Sequence, residues 1–112
     1  MSNEANQASS DRFFTERAPA MCQSINSYLS GLSDEHQVQA QINVVLRDWE
    51  LGAFSEQPPQ QDEEAFWCLL WSAQHLCSAS HRLELAKREL EPILRAVIDK
   101  SSLPFGVTAR RP

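Results

Sequence analysis

Asp62-Glu63-Glu64-Ala65-Phe66-Trp67-Cys68-Leu69-Leu70-Trp71-Ser72-Ala73-Gln74-His75-Leu76-Cys77 decides how the rest of the chain is read. It holds two of the three tryptophans, two of the three cysteines and one of the three histidines. Three carboxylates precede a dense apolar run without Gly or Pro, which marks a helix start, because carboxylates favour the positive end of the helix dipole. At about 100° of turn per residue, Phe66, Leu69, Leu70, Ala73, Leu76 and Cys77 share one face, and Trp67 and Trp71 lie roughly opposite. A helix apolar on two sides is either buried centrally or keeps one side for a partner. The spacing leaves both open.

Upstream, Ser33-Asp34-Glu35 supplies an N-cap and two first-turn carboxylates. Val38, Ile42, Val45, Leu46 and Trp49 follow at helical spacing, with Gln, Asn, Arg and Asp on the remaining face, so this helix turns one side to a core. Gly52 is placed to close it in a left-handed conformation. The segment 53–61, with Pro58-Pro59, reads as a loop with Phe54 tucked under it. Further upstream, Ser10-Asp11 starts a short turn with Phe13 and Phe14, and Pro19 is expected to end it and open a second helix. Met21, Ile25, Tyr28, Leu29 and Leu32 form that helix's apolar stripe, which ends near Gly31.

Downstream, Leu69, Leu76, Leu83, Leu90 and Val97 lie seven residues apart. Such a repeat suits antiparallel packing in a bundle, and it also allows a homodimer through the Leu69/Leu76/Leu83/Leu90 seam, although Ser80 and Lys87 spoil the second column of a coiled coil. The run 62–100 is either one helix kinked near Glu89–Glu91, ahead of Pro92, or two helices parted near Ser78–Ser80. Ile93, Leu94, Val97 and Ile98 supply its last apolar turns. No strand pattern is present. The expectation is an all-α domain, a small bundle of three to five helices over residues 10–101, with a disordered start (1–9) and a flexible C-terminal tail (102–112) bearing Arg110-Arg111 as loose charge.

With 112 residues the chain has room for one domain and one modest core. Its net charge of −5 is uneven. Residues 33–64 carry eight acidic groups against Arg47 alone, and residues 65–112 carry seven basic groups against four acidic ones. This dipolar layout suits steering of a charged partner, and it argues against general nucleic-acid binding, which needs a concentrated basic surface. Apolar runs of a few residues fall far short of the roughly 18–20 needed to span a bilayer, so no membrane partner is expected. The polar N-terminus lacks the features of a signal peptide. Three cysteines without a CxxC pair read as reduced thiols of a cytoplasmic protein.

Cys68, His75, Cys77 and His81 invite a metal reading, yet they divide into two pairs on different lines of the helix, whereas structural zinc wants four convergent ligands. Cys22 and His36 would have to complete such a site from other helices. No metal or cofactor is therefore expected. Cys77 with His81 four residues on, beside Arg82, has the spacing of a thiol and its base. The segment His81-Arg-Leu-Glu-Leu-Ala-Lys resembles the exposed histidine of four-helix phosphotransfer bundles. It departs from that family where a Lys-Gly pair should follow the histidine, since Glu84 and Leu85 stand there and a carboxylate repels phosphate. Asp62-Glu63-Glu64 read as capping residues, with no companion base for acid/base work.

Trp67, Trp71 and His75, extended by Ser78 and Arg82, form one ridge at i, i+4 and i+8. Covered, the ridge is core. Exposed, its Trp and Arg content suits a binding hot spot. The functional expectation is a non-enzymatic protein that binds another protein, as an adaptor, inhibitor, antitoxin-like or chaperone-like module, through Trp67, Trp71, His75 and Arg82. The alternative is a small metal- or thiol-dependent enzyme or sensor using Cys77, His81 and His75.

Overall fold

A computed structural model describes residues 2–52, 63–77, 83–101, 103 and 109–112, with side chains from residue 12 onward. The described residues form four helices and no strand: α1 (Ser2–Leu29), α2 (Glu35–Gly52), α3 (Glu63–Leu76) and α4 (Leu83–Asp99). The all-α bundle expected from the periodicity is present. Helices α1 and α3 each touch all three others, while α2 and α4 lie on either side of them. The molecule measures 48 × 29 × 19 Å. The longest helix, α1, has 28 residues and spans about 42 Å at about 1.5 Å each.

Pro19 does not divide α1, contrary to the expected restart. A proline in a helix interior loses one hydrogen bond and crowds the carbonyl four residues back, a cost of about 3 kcal/mol. Here Pro19 and Thr15 both face solvent, so water meets the orphaned carbonyl. Buried Phe13 on one side and Met21, Cys22 and Ile25 on the other hold the helix through that point. Pro92 passes through α4 on an exposed side in the same way. The break in 62–100 thus falls between α3 and α4, the two-helix alternative, and residues 78–82 lie outside the described part.

Helix ends follow local chemistry. Asp34, rather than Ser33, caps α2, its Oδ1 accepting the Gln37 N–H at 3.2 Å. Gly31 ends α1 with φ near 78°, the Leu32 amide reaching back to the Ser27 carbonyl at 2.8 Å and the Gly31 amide to Tyr28 at 3.1 Å. This is a Schellman turn. It throws Leu32, expected on the apolar stripe, out to 82 % exposure. Gly52, expected to close α2 in a left-handed conformation, instead remains helical as its last residue. The loop at 53–61, Phe54 included, is outside the described residues.

The four apolar faces meet in one core. α2 contributes Val38, Ile42, Val45 and Trp49 as its spacing requires. α4 contributes Ala86, Leu90, Leu94 and Ala96, with Ile93 and Val97 packed against the cluster, whereas Ile98 is exposed. In α3 every residue from Ala65 to Leu70 is buried. The sevenfold leucine series is divided between α3 and α4. Leu69 and Leu90 are sealed inside the molecule, Leu76 packs at the edge of the core, and Leu83 is partly exposed.

Candidate functional site

α3 resolves its two-sided pattern by being the central helix at its N-terminal end. Trp67 has no exposed surface. Its ring meets Trp49 of α2 edge-to-face at 4.9 Å and Phe66 at 4.8 Å, and Phe13 and Phe14 of α1 close the cluster. Edge-to-face contacts of this kind add about 0.5–1.5 kcal/mol each to the burial itself. Trp67 therefore belongs to the core, which corrects its expected place in an exposed ridge: α2 brings Trp49 over that side of α3.

The ridge rises toward the surface along its length. Trp71, one turn on, is half-buried, and His75, another turn on, is exposed. Arg82, the fourth expected contact residue, lies outside the described residues, as does His81.

The buried end of the ridge is closed by a segment from the far end of the chain. Residues 109–112 have neither helix nor strand structure. The Arg110 carbonyl accepts the Trp71 indole N–H at 2.8 Å, and Ala109 packs against the core. Arg111 inserts its guanidinium toward Glu63: Nη2 donates to Oε1 at 2.8 Å and Nε donates to Oε2. The Trp67 indole N–H donates to the same Oε2 at 3.1 Å. The guanidinium carbon stands 5.1 Å from the centre of the Trp49 ring, a cation–π distance. Only 3 % of the Glu63 side chain and 16 % of the Arg111 side chain reach solvent.

This arrangement corrects two expectations. Glu63 is a buried ion-pair partner rather than a solvated cap, and Glu64 alone of the described pair is exposed. Arg111 is docked rather than loose. Sequence periodicity misses the contact because residues 109–112 have no helical register, and because Glu63 sits among carboxylates that suit a helix start. The signal available is Glu63 four residues before Trp67, on a side of the helix that turns apolar: a carboxylate there needs a cation.

The thiols are placed differently. Cys22, Cys68 and Cys77 are free and buried. Burial pushes Cys22 and Cys77 up to about 11 and raises Cys68, a hydrogen bond from Ser72 partly opposing the shift in Cys68. These are protonated thiols at neutral pH, and the thiolate that nucleophilic chemistry requires is disfavoured at Cys77. Among the described residues no group of three His, Cys, Asp or Glu side chains converges for a metal ion. No helix among them is long and apolar enough to cross a membrane.

Comparisons of the chain with protein-family models, with curated proteins and with solved structures find no match.

Proposed function

We propose that the chain is a non-enzymatic interaction module that engages another protein through the Trp71–His75 side of α3. The observation that supports this reading is that this side already holds a stretch of non-helical chain: Trp71 donates to the Arg110 carbonyl while its neighbour Arg111 fills a carboxylate pocket. A half-buried tryptophan beside an arginine-filled pocket has the composition of an interaction hot spot. The partner is another protein, approached by the exposed end of the ridge. Trp67 is not a contact residue in this reading, since its ring is sealed in the core.

The test is a full-length tagged chain carrying Trp71→Ala with His75→Ala. The protein that co-purifies with the unaltered chain is expected to be lost from the double variant, while the thermal melt stays cooperative. Recovery of that protein in unchanged yield would place the contact elsewhere.

A further inference from the structure

We propose that Glu63, Trp49 and Trp67 form a recognition pocket for an arginine side chain presented on a non-helical peptide segment, and that Arg111 is its resident occupant in cis. This deepens the interaction reading above, on which it rests for its biological partner, by naming the chemistry such a partner carries.

The pocket has the parts that arginine recognition requires. The Glu63 carboxylate offers both oxygens to Nε and Nη2 in a side-on, two-bond pairing that the single ammonium of lysine does not reproduce. Trp67 fixes the carboxylate in place through its indole N–H, so the acceptor is oriented by the core itself. Trp49 supplies a ring face to the flat cation. Next to the pocket, the Trp71 N–H donates to the backbone carbonyl of Arg110, a bond that an incoming chain would reproduce. That bond reads the main chain, and the ion pair reads the side chain. Together they recognise an Ala-Arg-Arg-Pro-like stretch from any chain that can present it.

The resident segment, residues 109–112, belongs to no helix and meets the pocket through Ala109, the Arg110 carbonyl and Arg111. A tethered occupant of this kind acts at an effective concentration of order millimolar. A partner peptide in trans must displace it. The dipolar charge layout fits this role: the pocket's carboxylate lies in the acidic stretch and its occupant in the basic one, so a basic partner segment is drawn to the same place.

The experiment titrates an N-acetylated Thr-Ala-Arg-Arg-Pro peptide into full-length protein, read by tryptophan fluorescence and calorimetry. Arg111→Ala is expected to take up the peptide, and the unaltered chain to bind it about tenfold more weakly because its own segment competes. Thr-Ala-Arg-Lys-Pro is expected to bind Arg111→Ala about tenfold more weakly than the arginine peptide. Adding Glu63→Gln should abolish the uptake. If Arg111→Ala does not fold alone, the appearance of a cooperative melt on adding peptide supports the pocket, and Arg111→Lys, which keeps the charge, is expected to bind the peptide better than the unaltered chain. No uptake by either folded variant, or equal uptake after Glu63→Gln, overturns the proposal. Peptide uptake together with unchanged partner capture by the Trp71→Ala/His75→Ala chain would keep the pocket and remove the interaction reading. Loss of capture without peptide uptake would do the reverse.

Discussion

At its N-terminal end α3 is held by a charge pair and indole rings, and at its C-terminal end by a neutral amide and a thiol. Glu63 and Trp67 are fixed by Arg111, 48 residues further along the chain, and by Trp49. Cys77 is packed against the core just beyond the last turn, where Gln39 of α2 donates its side-chain amide to the carbonyls of Gln74 and Cys77 at 3.2 and 3.0 Å. The two ends differ in how they fail. Removing one member of a buried ion pair strands a charge, a loss of about 3–5 kcal/mol, unless the segment lets go and admits water. Losing one neutral hydrogen bond at a half-exposed site costs about 1 kcal/mol. The N-terminal end is therefore the part whose integrity depends on a buried charge brought by a non-helical segment, and the C-terminal end is closed by a neutral amide from α2 and by apolar packing.

The largest effect is expected from breaking the N-terminal end at its ring cluster. Trp67→Ala removes a fully buried indole and the donor that orients Glu63, and should cost about 3–5 kcal/mol, measured as a lower urea midpoint at constant slope. Trp71→Ala, at a half-buried position, should cost about 1–2 kcal/mol. Equal effects from the two substitutions would show that the ridge does not rise from core to surface as described. Because a domain of this size holds only about 5–15 kcal/mol in total, Trp67→Phe provides a milder variant that keeps a ring and deletes the N–H.

An effect intermediate for each single group is expected from alkaline pH, which acts on the buried thiols Cys22 and Cys77. In the unfolded chain a thiol releases its proton near 9.0, whereas folded Cys77 and Cys22 keep theirs to about 11. The folded state thus binds more protons between these values, so the contribution is fully present below about pH 9 and is lost as pH rises through about 11. At about 1.4 kcal/mol per pH unit, each thiol accounts for about 2–3 kcal/mol. Tyr28, raised by burial first and then by Cys77 and Glu35, acts in the same direction. Urea unfolding at pH 7, 9 and 11 should show the loss. Cys77→Ala should reduce its slope by roughly one thiol's share, and an unchanged slope would mean that Cys77 is not the desolvated group.

How much of this was legible in the sequence depends on how many sides of an element carry information. α2 is apolar on one side, and Val38, Ile42, Val45 and Trp49 lie where their spacing puts them. Gly31 announced the end of α1, because a left-handed residue is needed there and glycine adopts it without strain. α3 is apolar on two sides, and its own pattern gives no way to tell a second core face from a docking face. The answer came from Trp49 and Phe13, on other helices. The sequence around Pro19 carries its local cost but not the packing of Phe13 and Met21 on either side, which holds α1 through it. Arg111 was out of reach for any periodic pattern. The C-terminal cap of α4 was unsigned as well: Lys100 takes φ near 53°, with the Ser101 amide bonded back to Ala96 at 3.0 Å, a position where glycine would have been the recognisable residue.

The smallest effect sharpens the comparison at the C-terminal end. The final carbonyls of a helix lack intrahelical donors, and Gln39 Nε2 answers two of them, Gln74 on the exposed side and Cys77 on the part-buried side. Water can replace the first bond but has poorer access to the second. Gln39→Met, which keeps the length and removes the donor, should therefore cost about 1 kcal/mol by urea unfolding, nearly all of it from Cys77. Gln39→Glu should cost more at pH 7, because it sets a carboxylate against carbonyls at the negative end of the α3 dipole, an added penalty of about 0.3–1 kcal/mol. Acidification should then recover the difference, since a protonated carboxyl donates as the amide does. A Gln39→Glu chain as stable at pH 7 as the unaltered one would mean that the amide does not close this end, leaving it to the apolar packing of Ala73, Leu76 and Cys77.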